Sequence, residues 1–154
     1  APSHGRLVAG RHGASGARGE AVAGFPGVFD VALPALRTAL ARGAEARAAQ
    51  IHALFALLAC VADTNVLYRG GSDALRWLQR QAGDFLAAGS VFADGWLDRV
   101  EALHRACCDL HLSPGGSADL FGAAWFVHLL QADAGCYSRS LSDSPTPIVV
   151  CRQL

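Results

Sequence analysis

The sequence predicts an all-α fold, and three observations carry that prediction. Apolar residues recur at three- and four-residue spacings through several long segments, as a helix with one buried face requires. Glycines stand where two of those segments stop, at Gly43 and Gly89. Strand alternation is missing: only Ile148-Val149-Val150 has β character, and it follows a stretch broken by Pro145 and Pro147.

Composition agrees with one core-rich helical domain. Of 154 residues, 52% are hydrophobic and 17% charged, and a chain of this length buries about two thirds of its unfolded surface. Thirteen basic residues balance thirteen acidic ones, which argues against non-specific binding to nucleic acid or to a membrane surface. Every basic residue is Arg, so chemistry that needs a Lys amine is excluded. Cys60, Cys107 and Cys108 lie in apolar helical patterns without the spacing of a zinc site, and read as free buried thiols. No apolar run reaches the ~18 residues of a membrane span. The chain opens Ala-Pro-Ser-His-Gly, without the basic and apolar regions of a signal peptide. A soluble, cytoplasmic protein is expected.

Taken in order, residues 4–13 read as a short helix broken at Gly13. The segment Gly16-Ala17-Arg18-Gly19-Glu20-Ala21-Val22-Ala23-Gly24-Phe25-Pro26 is rich in small residues that let backbones approach. Pro26 suits the first turn of the next helix. Val28, Val31, Leu33, Leu36 and Leu40 then hold a helical period as far as Gly43, with a kink or break predicted at Pro34. Residues 44–62 form the clearest helix, with Ile51, Leu54, Phe55, Leu58 and Val61 on one face and His52 as a semi-buried histidine. The pattern breaks over 63–71. Residues 72–88 resume it, Leu75, Leu78, Phe85 and Leu86 inward, Arg76 and Arg80 outward. Asp94 is placed as the cap of a further helix through Leu97, Val100, Leu103 and Cys107. The apolar run 120–130 is the last helix. Residues 1–134 make the domain and 135–154 a loosely attached tail.

Two stretches carry chemistry. In Leu112-Ser113-Pro114-Gly115-Gly116-Ser117-Ala118-Asp119-Leu120, Ser113-Pro114 favours a turn and Gly115-Gly116 can take dihedrals closed to other residues. Ser117 stands where an N-cap belongs. Such an entrance points unpaired N–H groups outward at the positive end of the helix dipole, and phosphate is the natural ligand. Asp119 would repel a bare phosphate but suits a metal that travels with one. In Asp63-Thr64-Asn65-Val66-Leu67-Tyr68-Arg69-Gly70-Gly71-Ser72-Asp73, the same Gly-Gly-Ser device precedes an acid. Arg69 adds a bidentate phosphate fork, and Asp63, Thr64 and Asn65 are hard oxygen ligands suited to Mg²⁺ or its waters. Capping and turn chemistry is the alternative reading of each residue.

The three segments, 16–26, 63–71 and 112–120, occur in this order in the triphosphoribosyl-dephospho-CoA synthases that serve citrate lyase and malonate decarboxylase. The chain resembles that family over about residues 4–130, corresponding to its C-terminal half. The resemblance implies an all-helical fold and transfer of the triphosphoribosyl group of ATP to 3′-dephospho-CoA with release of adenine. The product is the prosthetic-group precursor of an acyl-carrier subunit, so an acyl-carrier protein and its prosthetic-group transferase are the pathway partners. Displacing adenine at C1′ passes through an oxocarbenium-like state, for which carboxylates are the suitable groups. Glu20, Asp63 and Asp119 are the catalytic candidates, with Asp63 and Asp119 as Mg²⁺ ligands. Glu20 paired with Arg18 is an equally good structural ion pair. Nucleotide binding falls to Arg18, Thr64, Asn65, Arg69, Gly70, Gly71, Ser113, Gly115, Gly116 and Ser117.

Some positions depart from the family. Its Pro-Lys-Pro-Gly segment has no counterpart in this Lys-free chain, so little or no turnover by the chain alone is expected. His111 stands where Asn is usual, Ala62 where a second acid is common, and Gly19 where a charged residue is frequent. The residues themselves leave two other readings open: another Mg²⁺-dependent nucleotide or ADP-ribose enzyme, and a non-catalytic helical fragment.

Overall fold

The computed structural model describes residues 16–142, with side chains described over 19–132. The helix expected at 4–13, the side chain of Arg18 and the segment Ile148-Val149-Val150 lie outside the described residues. The fold is all-α, and no strand occurs among the described residues. Helix α1 (Gly16–Val22) leads to a π-helical turn (Gly27–Ala32) that continues into α2 (Leu33–Ala41). Then come α3 (Ala46–Cys60), α4 (Thr64–Ala87), a 3₁₀ turn (Ser90–Phe92), α5 (Trp96–Asp109) and α6 (Gly115–Ser142). No single helix among the described residues is long and apolar enough to cross a membrane.

Helix α3 is the centre of the packing, touching α2, α4 and α6. Its Ala49 and Ala53 share a cluster with Leu36 and Ala39 of α2. Leu57, off the face that the sequence pattern picks out, is fully buried among Val28, Ala32 and Leu33 on one side and Leu120 and Ala124 of α6 on the other. Phe55 and Leu58 join Val66, Leu78, Phe85, Cys107 and Leu112 in the third cluster. A helix apolar on several sides is a core helix, which is why one expected face became three.

The local signals explain most boundaries. Pro34 has no N–H to give the preceding turn, and the chain before it widens into π geometry, Leu33 N–H reaching Val28 O. Gly43 (φ +86°) stops α2 as expected, with Ala44 N–H bonding Ala39 O at 3.0 Å. Gly89 (φ +100°) follows the end of α4 in the same manner.

Other expectations need correction. Helix α4 begins at Thr64, not Ser72, because Asp63 caps it; α3 and α4 meet at 59° across residues 61–63. Asp94 makes no cap: Gly95, in a left-handed conformation, is the N-cap of α5, one residue later. Leu97 faces solvent, as do Cys60 and Cys108, whereas Cys107 is buried; the three thiols are free. The boundary expected at 134/135 falls inside α6, which continues to Ser142.

Candidate functional site

The site begins with one buried carboxylate placed between two helix entrances. Asp63, extended at φ −62°, ψ 114°, caps α4: its Oδ1 accepts the N–H groups of Asn65 at 2.9 Å and Val66 at 3.3 Å. Its Oδ2 accepts from α6, taking the Ser117 N–H at 2.7 Å and the Ser117 hydroxyl at 2.9 Å. A carboxylate offers about four lone-pair positions, and here four donors use them. Both dipoles point their positive ends at this one charge. Asp63 is 2% exposed and Ser117 is fully buried.

Gly115 and Gly116 do different work from that expected of them. Neither has positive φ. A Cβ on Gly115 would stand 2.5 Å from Asn65 Nδ2, and one on Gly116 would stand 3.3 Å from Asp63 Oδ2. These glycines let the entrance of α4 close onto that of α6. The room that they leave is filled by this chain's own polar groups.

The approach to this entrance is set by the stop of α5. His111 takes φ +53°, its N–H bonding Cys108 O at 3.0 Å while Leu112 N–H bonds Cys107 O at 2.8 Å. This is a Schellman stop, with Leu112 tucked into the core beside Cys107. The left-handed position accounts for the departure noted above, since Asn and His are both enriched there.

A cleft of about 470 Å³ opens beside the paired entrances. Its walls bring together Glu20, Asp63, Thr64, Gly116 and Asp119, so each of the three sequence segments contributes. Glu20 Oε2 accepts the Gly27 N–H at 2.9 Å, tying α1 to the π turn. Gly27 is buried there with no room for a Cβ, which would stand 2.9 Å from Leu120 Cδ1. The link between Glu20 and Gly27 is made by a second Schellman stop, Gly24 at φ +81° and Phe25 at φ +58°. A left-handed Phe is an outlier that the neighbouring structure must hold in place. Phe25 lines the cleft.

The remaining expected residues do not line it. Gly70 and Gly71 sit at a kink inside α4: Gly71 has φ +69°, ψ −170°, and a Cβ on Gly70 would stand 2.4 Å from the Ala74 Cβ. The glycine pair expected to open a second helix entrance bends a continuing helix, and Asp73 beyond it pairs with Arg76 on the surface. Arg69 is exposed, its Nη1 donating to His111 O at 3.4 Å, and is no phosphate fork on the cleft wall. Asn65, Ser113, Gly115 and Ser117 also stay off the wall; Ser117, completely buried, is a partner of Asp63 and not an N-cap. Residues that sequence reasoning missed are Cys60, at the C-terminus of α3, and Phe25 and Gly27. The signal for the last two was Pro26, which bars its predecessor from helical geometry.

Electrostatics separate the carboxylates. Among the described residues lining the cleft, Glu20, Asp63 and Asp119 are acidic and none is cationic. Burial, and then the Glu20 carboxylate, push the Cys60 thiol up from its ordinary range. Asp119 stands exposed on the wall. A cleft lined by carboxylates suits a developing positive charge, and suits anions only when a cation accompanies them. Among the described residues no group of three or more His, Cys, Asp or Glu is placed to hold a metal. Mg²⁺ is commonly held by one or two carboxylates together with substrate phosphates and waters. Of the carboxylates on the wall, Asp119 is the exposed one that could enter such a set.

Asp63 occupies Asn65, Val66 and Ser117 N–H, while the backbone N–H groups of Thr64 and Gly116 have no partner among the described residues. Both residues line the cleft. Two helix N-termini thus border one space with first-turn N–H groups that make no bond among the described residues.

No solved structure gives a significant match to the chain. The family model for CitG, ATP:dephospho-CoA triphosphoribosyl transferase, matches residues 1–137. That span contains all three cleft-forming segments, and the chain belongs to the ATP:dephospho-CoA triphosphoribosyl transferase family.

Proposed function

We propose that the cleft binds ATP and 3′-dephospho-CoA and carries the triphosphoribosyl group from one to the other, making the prosthetic-group precursor of an acyl-carrier subunit of malonate decarboxylase or citrate lyase. The observation that supports this most is the convergence of Glu20, Thr64, Gly116 and Asp119, drawn from three separate segments, on one cleft. The free N–H groups of Thr64 and Gly116 suit the phosphates. Mg²⁺, arriving with ATP, would neutralise phosphate charge, with Asp119 placed to hold it.

In the transfer, the C1′–N bond of ATP breaks, and adenine leaves with the electron pair and takes up a proton at that nitrogen. The incoming hydroxyl of dephospho-CoA forms the new C1′–O bond and gives up its proton. Carboxylates facing C1′ stabilise the ring's positive charge and accept that proton, and Glu20 and Asp119 are the acids on the wall with this role open to them. Asp63, with four donors on its oxygens, is not available for it. The chain brings no Lys to the phosphates. We read it as one part of the working constellation, which binds ATP weakly and turns over little by itself. A cytoplasmic setting follows from these substrates.

Calorimetric titration of the chain with ATP tests the reading. Binding that requires Mg²⁺, and that dephospho-CoA strengthens, supports it; no heat at millimolar ATP with Mg²⁺ present contradicts it.

A further inference from the structure

The Asp63 carboxylate and the Ser117 side chain meet in a buried position between two helices whose first-turn residues Thr64 and Gly116 line the cleft, as Asp63 itself does. We infer that Asp63 and Ser117 are a positioning pair, which fixes the spacing of the two anion-binding entrances without touching substrate or metal. The inference rests on the proposed reading of the cleft as an ATP site.

Three observations carry it. First, Oδ2 accepts two hydrogen bonds from Ser117 while Oδ1 accepts two from the α4 entrance, so one rigid carboxylate sets both entrances. Second, the connection spans 54 residues of sequence, joining Thr64's helix directly to Gly116's. Third, Gly116 leaves no slack: a Cβ there would press on the carboxylate at 3.3 Å. A hydroxyl lost from Ser117 leaves its N–H bond in place but frees the entrance of α6 to tilt. The phosphate donors then lose their common focus, although each helix still forms.

The test is titration of the full chain with ATP over a series of Mg²⁺ concentrations, using Ser117→Ala, Asp63→Asn and the double variant, with a thermal melt of each. Ser117→Ala is the gentler change, because alanine fits the same space. A positioning pair predicts that Ser117→Ala weakens ATP binding by about tenfold at a temperature where the melt shows it folded. Asp63→Asn should do the same, the double variant should be little worse than either single change, and the half-saturating Mg²⁺ concentration should stay at its unsubstituted value. Two results on the variants would overturn the inference. A shift of that Mg²⁺ concentration in Asp63→Asn alone would make Asp63 a metal ligand. Lower melting with unchanged ATP affinity would make the pair a structural strut only. Failure of the unsubstituted chain to bind ATP overturns the cleft reading itself, and the positioning role with it.

Discussion

Ser117 gives both of its donors to a single oxygen of Asp63, the N–H at 2.7 Å and the hydroxyl at 2.9 Å, across 54 residues of sequence. The acid that the sequence offers as a surface ligand is therefore a buried joint. Asp63→Ala should cost about 3 kcal/mol, from a lost N-cap and from Ser117 donors left buried without an acceptor. A melting temperature lower by about 10 °C is expected. A thermal melt measures it, and an unchanged melting temperature would contradict it.

Gly71 holds the kink in α4 at a backbone conformation open almost only to glycine. Gly71→Ala should destabilise the protein by about 1–3 kcal/mol, and Gly70→Ala should add a clash with Ala74. Denaturant unfolding measures both. Unchanged stability in Gly71→Ala would mean that the helix straightens at no cost.

His52 is half-buried on α3, with Nδ1 at 2.8 Å from the Ser90 hydroxyl and Arg42 nearby. Burial, followed by the Arg42 charge, holds its pKa below the ordinary 6.5. The folded state therefore resists protonation more than the unfolded chain does. Its contribution to stability is complete above 6.5 and is lost as the pH falls toward the lower, folded value. His52→Gln should flatten the loss of stability as the pH falls below 6.5, as read from denaturant midpoints.

Asp119 and Arg69 should behave oppositely to one another. Asp119→Ala, a change at an exposed position on the cleft wall, should leave the melt nearly unchanged and weaken ATP–Mg²⁺ binding about tenfold, or about 1.4 kcal/mol. Arg69→Ala should leave ATP binding within about twofold, because Arg69 reaches the His111 carbonyl and not the cleft wall. Titration calorimetry reads both.

The helices were legible because α3, α4 and α5 carry apolar periodicity, and Gly43 and Gly89 end helices by a local geometry that only their own φ requires. The convergence of Glu20, Thr64, Gly116 and Asp119 was legible as motif chemistry. What was not legible depends on long-range contact. Asp63 has the same composition signal whether it caps a helix or binds an ion, and its bonds to Ser117 come from 54 residues away. Gly70-Gly71-Ser72 repeats the letters of Gly115-Gly116-Ser117, yet one bends a helix and the other lets two helices touch. Cys60 looked like a core thiol because its helix is core; it sits on the last turn, where the cleft opens.

Cys60 also gives the most direct measurement of the central claim, that this cleft is where ATP binds. Its thiol lines the cleft beside Glu20 and is exposed, whereas Cys108 is exposed on α5, off the cleft wall. Alkylation of the full chain can be followed at each cysteine by peptide mass spectrometry, with and without ATP and Mg²⁺. The account predicts that ATP with Mg²⁺ slows labelling of Cys60 severalfold and leaves Cys108 unchanged, and that Mg²⁺ alone does neither. Equal labelling of Cys60 with and without saturating ATP–Mg²⁺ would contradict it.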